Sequence, residues 1–156
     1  MSILQAGINA PDFTLDTDKG ESVKLSQFSG KKVILFFYPK ANTSGCTKEA
    51  CSFRDEYAGF QDKDVAVLGI SPDSVKAQSN FSQKYNFPYH LLADTEHEVA
   101  EAYGVWALKK MYGREYHGIL RTTFVIGEDG KILHVFEKVK PADHAKEVLE
   151  YLDTLN

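Results

Sequence analysis

The sequence predicts an α/β fold, a central mixed sheet flanked by helices with an N-terminal β-hairpin extension, and three observations carry the prediction. Two continuous apolar runs, Val33-Ile34-Leu35-Phe36-Phe37-Tyr38 and Val65-Ala66-Val67-Leu68-Gly69-Ile70, lack period-two alternation, as strands buried on both faces do. Between them Cys46, Ala50, Phe53, Tyr57 and Phe60 recur at spacings of four, three, four and three, which is one apolar face of a helix. Strand, helix and strand at this length read as a right-handed crossover joining parallel strands.

The other elements follow in order. Phe13 to Leu15 and Val23 to Leu25, around Asp18-Lys19-Gly20, predict an outlying hairpin at the start. Ser71-Pro72-Asp73 reads as an N-cap with proline at the first helical position, opening a helix to about Asn86. Asp94 and Thr95-Glu96-His97-Glu98 carry a cap and a capping-box pattern for a short helix that stops at Gly104. Thr122 to Ile126 and Ile132 to Phe136 flank the turn residues Gly127-Glu128-Asp129-Gly130, a second hairpin. From Pro141 the positions Ala145, Val148, Leu149, Leu152 and Leu155 describe a terminal amphipathic helix. This order is compatible with a thioredoxin-like core.

A length of 156 residues suits one domain, residues 1–156. Such a chain buries roughly 70% of its unfolded surface and needs no covalent staples. Its 43% hydrophobic and 26% charged content is ordinary for a globular protein. A net charge of −4 argues against a nucleic-acid surface, which would show a basic stripe. No apolar run approaches the roughly 20 residues that span a bilayer. Met1-Ser2-Ile3-Leu4-Gln5 has neither the basic nor the long apolar region of a secretory signal, so the expectation is a cytoplasmic protein with no membrane partner.

Two cysteines are too few for a disulfide scaffold, and a close pair in a reducing compartment points to metal or redox chemistry. Structural zinc wants four ligands, and the five scattered histidines show no spacing that would complete a site, so no metal is expected. The segment Pro39-Lys40-Ala41-Asn42-Thr43-Ser44-Gly45-Cys46 leaves the first apolar strand and delivers Cys46 to the first turn of the helix. Ligands collect at that end of a parallel sheet, and the unpaired N–H groups of a helix start favour a thiolate. Thr43 either caps the helix or turns its hydroxyl toward the sulfur. A thiolate attacking an O–O bond also needs donors for the charge moving onto the leaving oxygen, and Arg121, just before a strand, is the candidate.

Each of these residues also has a plain structural reading. The cysteines could be small core hydrophobes, Arg121 a surface ion-pair partner and Pro39 simply the end of a strand. Trp106 and Tyr112 read as packing residues, the histidines as incidental, and Lys31-Lys32 and Lys109-Lys110 as solvated surface. Glu49, one turn from Cys46, would disfavour a thiolate and is expected to point away, toward Lys48 or Arg54. On an ideal helix Cys46 and Cys51 lie roughly 8–9 Å apart at Cα and about 140° around the axis. A disulfide needs less than about 7 Å, so the two sulfurs could join only if the first helical turns unwound.

Pro39-x3-Thr43-x2-Cys46 with a distant Arg121 resembles the peroxiredoxins, and a second cysteine five positions on resembles the peroxiredoxin Q, or bacterioferritin comigratory protein, group. The resemblance runs through Ala10-Pro11-Asp12-Phe13, Phe36-Phe37-Tyr38-Pro39, Tyr103-Gly104-Val105-Trp106, Tyr112-Gly113-Arg114 and Arg121-Thr122-Thr123-Phe124, nearly the whole chain. It implies a thioredoxin fold and a thiol peroxidase that reduces hydrogen peroxide and organic hydroperoxides. It further implies Cys46 as the peroxidatic cysteine, Cys51 as the resolving cysteine in an intramolecular disulfide, and Pro39, Thr43 and Arg121 as the pocket. Thioredoxin or a similar dithiol is the implied electron donor, a monomer the implied state, and no cofactor is expected. Ser44 departs from the proline common in the family, which leaves the first helical turn less stiff.

Two other functions compete. A thioredoxin-like disulfide reductase would use two residues between its cysteines, whereas four separate them here. A non-enzymatic redox sensor would exploit the same helix unwinding, but would change state once rather than turn over.

Overall fold

The computed structural model describes residues 2–155. The chain runs β1 (Thr14–Thr17), β2 (Ser22–Lys24), a 3-10 turn (Leu25–Phe28), β3 (Lys32–Phe37), α1 (Ser44–Asp55), α2 (Tyr57–Asp62), β4 (Val65–Ser71) and α3 (Val75–Tyr85). It continues through β5 (His90–Ala93), α4 (Glu98–Ala102), β6 (Trp106–Met111), β7 (Arg114–Ile119), β8 (Thr122–Ile126), β9 (Ile132–Phe136), a 3-10 turn (Pro141–Asp143) and α5 (His144–Asp153). Seven strands form one mixed sheet in the order β2-β1-β5-β4-β3-β8-β9, while β6 and β7 pair only with each other.

The two continuous apolar runs are β3 and β4, parallel neighbours at the centre with Val33 opposite Ala66 and Phe37 opposite Ile70. Their lack of alternation has the expected cause, because both faces are covered. Ile34, Phe36 and Tyr38 face one core with Ala50 and Phe53 of α1, Phe60 of α2, Phe81 of α3 and Val148 of α5. Val33, Leu35 and Phe37 face the other core with Leu25, Val99 of α4, Tyr103 and Ile119. Phe53 stacks on Phe36 with centroids 4.6 Å apart, anchoring α1 on the sheet. Truncating such a buried ring costs about 3–5 kcal/mol.

Four expectations need correction. The helical stripe from Cys46 to Phe60 is two helices, broken at Glu56, not one. The N-terminal hairpin is not outlying, since β1 pairs antiparallel with β5 and so extends the main sheet. Ser71 does not cap the next helix; it ends β4, and Ser74 accepts the Ala77 N–H at 3.1 Å as the true cap. The Thr95–Glu98 capping box does not form, because His97 occupies the cap position without a side-chain bond. Asp94 takes over by accepting the Val99 and Ala100 N–H groups at 3.2 and 2.9 Å. Gly104 does end the region, at φ +78° and against the backbone of Ser2, where a Cβ would collide.

The hairpin of β6 and β7 and the short strand β5 go beyond the sequence reading. Tyr112 and Gly113, both at positive φ (52° and 78°), make the two-residue turn of that hairpin. Tyr112 is 97% exposed there, so it is not a packing residue. Trp106 is half-buried and stacks on His97 at 4.0 Å, fixing the base of the hairpin on the loop before α4.

Candidate active site

Parallel strands β3 and β4 end at the same edge, and the loop after β3 carries Pro39, half-buried, toward α1. Two side chains hold that loop. Asp73 accepts the Ala41 N–H at 2.7 Å and the Ser71 hydroxyl at 2.6 Å. Asn42, at φ 62°, accepts from Lys84 Nζ and the Tyr85 hydroxyl of α3. Beneath the loop, the buried Tyr38 hydroxyl donates to Gln78, which in turn donates to Ser71 and to the Leu92 carbonyl, both at 2.8 Å. Asp73 is thus not part of a helix cap, and its carboxylate fixes the entrance to α1.

Thr43 sits at the N-cap of α1 with extended backbone (φ −92°, ψ 160°), but its side chain makes no cap bond. Its hydroxyl donates to the Lys40 carbonyl at 2.8 Å, so neither expected role, cap or partner of the sulfur, is filled in this conformation. Ser44, Gly45 and Cys46 then supply the first three helical residues, whose N–H groups lack intrahelical acceptors and carry partial positive charge.

Arg121, between β7 and β8, closes the site. Its Nη2 donates to Cys46 Sγ at 3.3 Å and its Nη1 donates to Glu49 Oε1 at 2.7 Å. Cys46 is 1% exposed and the Glu49 side chain wholly buried, while the Arg121 side chain retains 20% exposure. Burial disfavours the Arg121 cation, but the charges of Glu49 and Cys46 outweigh it and hold the guanidinium above its ordinary range. Burial pushes the Glu49 carboxyl up to about 7, against the lowering effect of Arg121. The Glu49 Oε2 atom has no hydrogen-bond partner among the described residues.

Glu49 therefore does not point away to Lys48 or Arg54. At three residues from Cys46 it lies on the same helix face, and that spacing was the available signal. Gly45 is what lets Arg121 come so close: a Cβ there would sit 3.2 Å from Arg121 Nη2.

Cys46 and Cys51 are both free thiols in an unbroken α1. Cys51 is half-buried beside Arg54 and Asp55; burial, with Asp55 adding, pushes its thiol above the ordinary cysteine range while Arg54 opposes. Two residues read as incidental or solvated are neither. His144 is buried, with Nε2 2.7 Å from the Thr123 hydroxyl oxygen and Nδ1 3.0 Å from Glu147. Lys109 on β6 is half-buried, and the charges of Arg121 and Cys46 act on it. Among the described residues, no three of His, Cys, Asp and Glu cluster so as to hold a metal ion. No helix there is long and apolar enough to cross a membrane.

A sheltered sulfur at a helix start, faced by a guanidinium and mounted at the carboxyl edge of a mixed sheet, defines a thiol-redox protein on a thioredoxin-like scaffold. The profile of the AhpC/TSA family matches residues 6–135. Peroxiredoxin Bcp of Bacillus subtilis (strain 168) is 46% identical over 98% of both chains. Peroxiredoxin Bcp of Escherichia coli (strain K12) is 44% identical over 97% of both. The solved structure of the Xanthomonas campestris bacterioferritin comigratory protein, described for its alkyl peroxide reduction activity, superposes with a TM-score of 0.90. It is 34% identical, and the alignment covers 96% of this chain and 98% of that one. The chain belongs to the AhpC/TSA family, in its peroxiredoxin Q or bacterioferritin comigratory protein group, and is a peroxidase.

Proposed function

We propose that this peroxidase reduces hydrogen peroxide and organic hydroperoxides through Cys46, with Cys51 as the resolving cysteine and a dithiol such as thioredoxin as electron donor. The observation that carries the reading is the Arg121 Nη2 contact with Cys46 Sγ at 3.3 Å, in the first turn of α1. The guanidinium favours charge on the attacking sulfur and offers donors to the peroxide oxygens as charge moves between them. Glu49 positions it, taking one nitrogen so that the other faces the sulfur. Pro39 and Thr43 line the entrance, and the exposed Thr43 hydroxyl exchanges its Lys40 carbonyl for the incoming peroxide.

The steps balance as follows. The Cys46 thiolate attacks the terminal oxygen of the hydroperoxide; an S–O bond forms, the O–O bond breaks, and the leaving oxygen takes a proton to depart as alcohol or water. Sulfur is oxidised by two electrons to the sulfenic acid. The Cys51 thiolate then attacks that sulfur, an S–S bond forms, and the hydroxyl leaves as water after gaining a proton. Two thiol–disulfide exchanges with the dithiol restore both thiols and leave the donor oxidised.

The raised position of the Cys51 thiol suits this order, because Cys51 stays protonated and unreactive until the sulfenic acid forms nearby. Residues 1–156 act as one domain in this scheme. A resolving cysteine in the same chain lets a monomer complete the cycle, and free thiols suit a reducing, cytoplasmic setting.

Peroxide consumption with thioredoxin, its reductase and NADPH tests the assignment. Cys46→Ser is expected to abolish turnover. Cys51→Ser is expected to form the sulfenic acid but lose thioredoxin-dependent cycling. Sustained turnover in Cys46→Ser would refute it.

A further inference from the structure

The two halves of α1 are held by different parts of the protein. Ser44 to Glu49 carry the reacting sulfur, and this half starts weakly. Its cap residue Thr43 makes no side-chain cap bond, and Gly45 in the first turn is a poor helix former. Among the described residues, its side-chain bonds to other elements are those of Cys46 and Glu49 to Arg121.

Ala50 to Asp55 are tied instead to the connection between α3 and β5. Arg54 Nη1 donates to the Tyr85 carbonyl at 2.9 Å, at the start of that connection. At its end the buried Tyr89 hydroxyl donates to the Ala50 carbonyl at 2.6 Å. Ser52 Oγ accepts the Ala145 N–H of α5 at 3.4 Å, and Phe53 stacks on Phe36.

The Ala50 carbonyl needs no outside donor, because in a helix it already accepts the Arg54 N–H four residues on. Its second lone pair takes the Tyr89 hydroxyl. The tyrosine ring is fixed in turn, stacked on Phe87 at 5.5 Å and edge-on to Phe36 at 5.8 Å. Ala50 is thus anchored independently of the turns before it, and Cys51 is the next residue.

We infer that Tyr89 is a positioning residue for the resolving step: its hydroxyl stops the unwinding of α1 at Ala50 and holds Cys51 in place, so that Cys46 travels to Cys51. This rests on Cys51 being the resolving cysteine, and it says which of the two sulfurs moves. A sharp boundary in the helix follows. Amides up to Phe53 bond to carbonyls before Ala50 and are released as the first half unwinds. The Arg54 amide bonds to Ala50 itself and is kept.

Backbone amide exchange in the reduced and the Cys46–Cys51 bridged full-length protein tests this. In the native protein, bridging is expected to speed exchange from Thr47 to Phe53 and to leave the Arg54 amide unchanged. Tyr89→Phe keeps the ring and removes the hydroxyl. There, bridging is expected to speed the Arg54 amide as well, roughly fivefold, the size of one buried hydrogen bond. Closure of the Cys46 sulfenic acid onto Cys51 should slow by a similar factor, because a loosened Cys51 is presented less often. The bridged-to-reduced ratio for one amide removes a general loss of stability, which acts on both states. An Arg54 amide that speeds up on bridging in the native protein overturns the role of Tyr89. So does one that stays protected in bridged Tyr89→Phe, or closure as fast as native in that variant. All three leave the roles of the two cysteines standing. A native protein in which peroxide never joins Cys46 to Cys51 removes both.

Discussion

Arg121 and Glu49, separated by 72 residues of chain, meet inside the protein with Nη1 2.7 Å from Oε1. The pair is built so that the other end of the guanidinium, Nη2, faces Cys46 Sγ at 3.3 Å. A carboxylate one turn from a thiolate would by itself oppose ionisation of the sulfur. With Arg121 between them, the acid aims the cation instead. Three residues from two distant parts of the chain thus form one electrostatic unit.

Removing the cation from that unit takes away the two guanidinium donors proposed for the peroxide oxygens. Arg121→Met is therefore expected to slow Cys46 oxidation by hydrogen peroxide about 10²–10³-fold, as loss of a donor to developing charge does in other sites. Arg121→Lys should fall between, because a point charge replaces two fixed donors. Stopped-flow oxidation of the reduced protein checks both, and native-like rates in Arg121→Met would contradict the role.

Glu49 gives the folded protein a pH dependence of definite sign. Burial raises its carboxyl from 4.5 to about 7. Between those values the folded state holds a proton that the unfolded chain has released. The contribution is fully present below the unfolded value and is lost as pH rises through about 7. The raised carboxyl corresponds to stability on the order of 3 kcal/mol lost across the window, with Arg121 present throughout. Glu49→Gln keeps an acceptor for Arg121 but cannot titrate, so its unfolding free energy should vary less between about pH 5 and about pH 8. Urea denaturation at both pH values measures this; identical pH slopes in the two proteins would contradict it.

The central strands were legible in the sequence because β3 and β4 are covered on both faces, so their apolar runs are unbroken. β5 was not, since four residues, His90-Leu91-Leu92-Ala93, are too few to show a period. The β6–β7 hairpin offered only Gly113 as a turn signal, since a tyrosine at positive φ is not the residue such a turn favours, and its mostly exposed strands show no apolar alternation. Cys46 and Arg121 could be named as candidates from local context. The role of Glu49 could not, because nothing local reveals that Arg121 arrives from β7 and β8. The cap falls three residues later than the sequence suggests, at Ser74 and not Ser71, because nothing local reveals that Asp73 turns to the Ala41 N–H and leaves the cap to Ser74.

Gly45 separates local stability from activity. Alanine is the better helix former by about 1 kcal/mol, so Gly45→Ala should leave the protein as stable or more so. Its new Cβ would stand 3.2 Å from Arg121 Nη2 and push the guanidinium away from the sulfur. The expected outcome is a melting temperature unchanged or raised, with Cys46 oxidation slowed roughly two- to tenfold. A variant that is both more stable and equally fast would show that the close approach is immaterial.

Oxidation should change the helix itself. Cys46 and Cys51 belong to one regular α1, and the ideal spacing of roughly 8–9 Å exceeds the reach of a disulfide, about 7 Å. Bridging therefore unwinds the first turns, the same turns that the Pro141–Asp143 segment covers, with Pro141 Cγ 3.9 Å from the Gly45 Cβ position. Amide exchange from Thr43 to Phe53 is expected to speed up in the fully bridged protein, with loss of far-ultraviolet helical signal. Unchanged protection in a bridged sample would refute the unwinding.

The most direct measurement is a titration of the fully reduced protein with one equivalent of hydrogen peroxide, followed by intact mass and peptide mapping. A mass lower by two hydrogens, with a single cross-linked peptide joining Cys46 to Cys51, is the predicted result. Recovery of both cysteines unmodified while the peroxide persists, or an oxidised residue other than Cys46 in the Cys51→Ser variant, would contradict it.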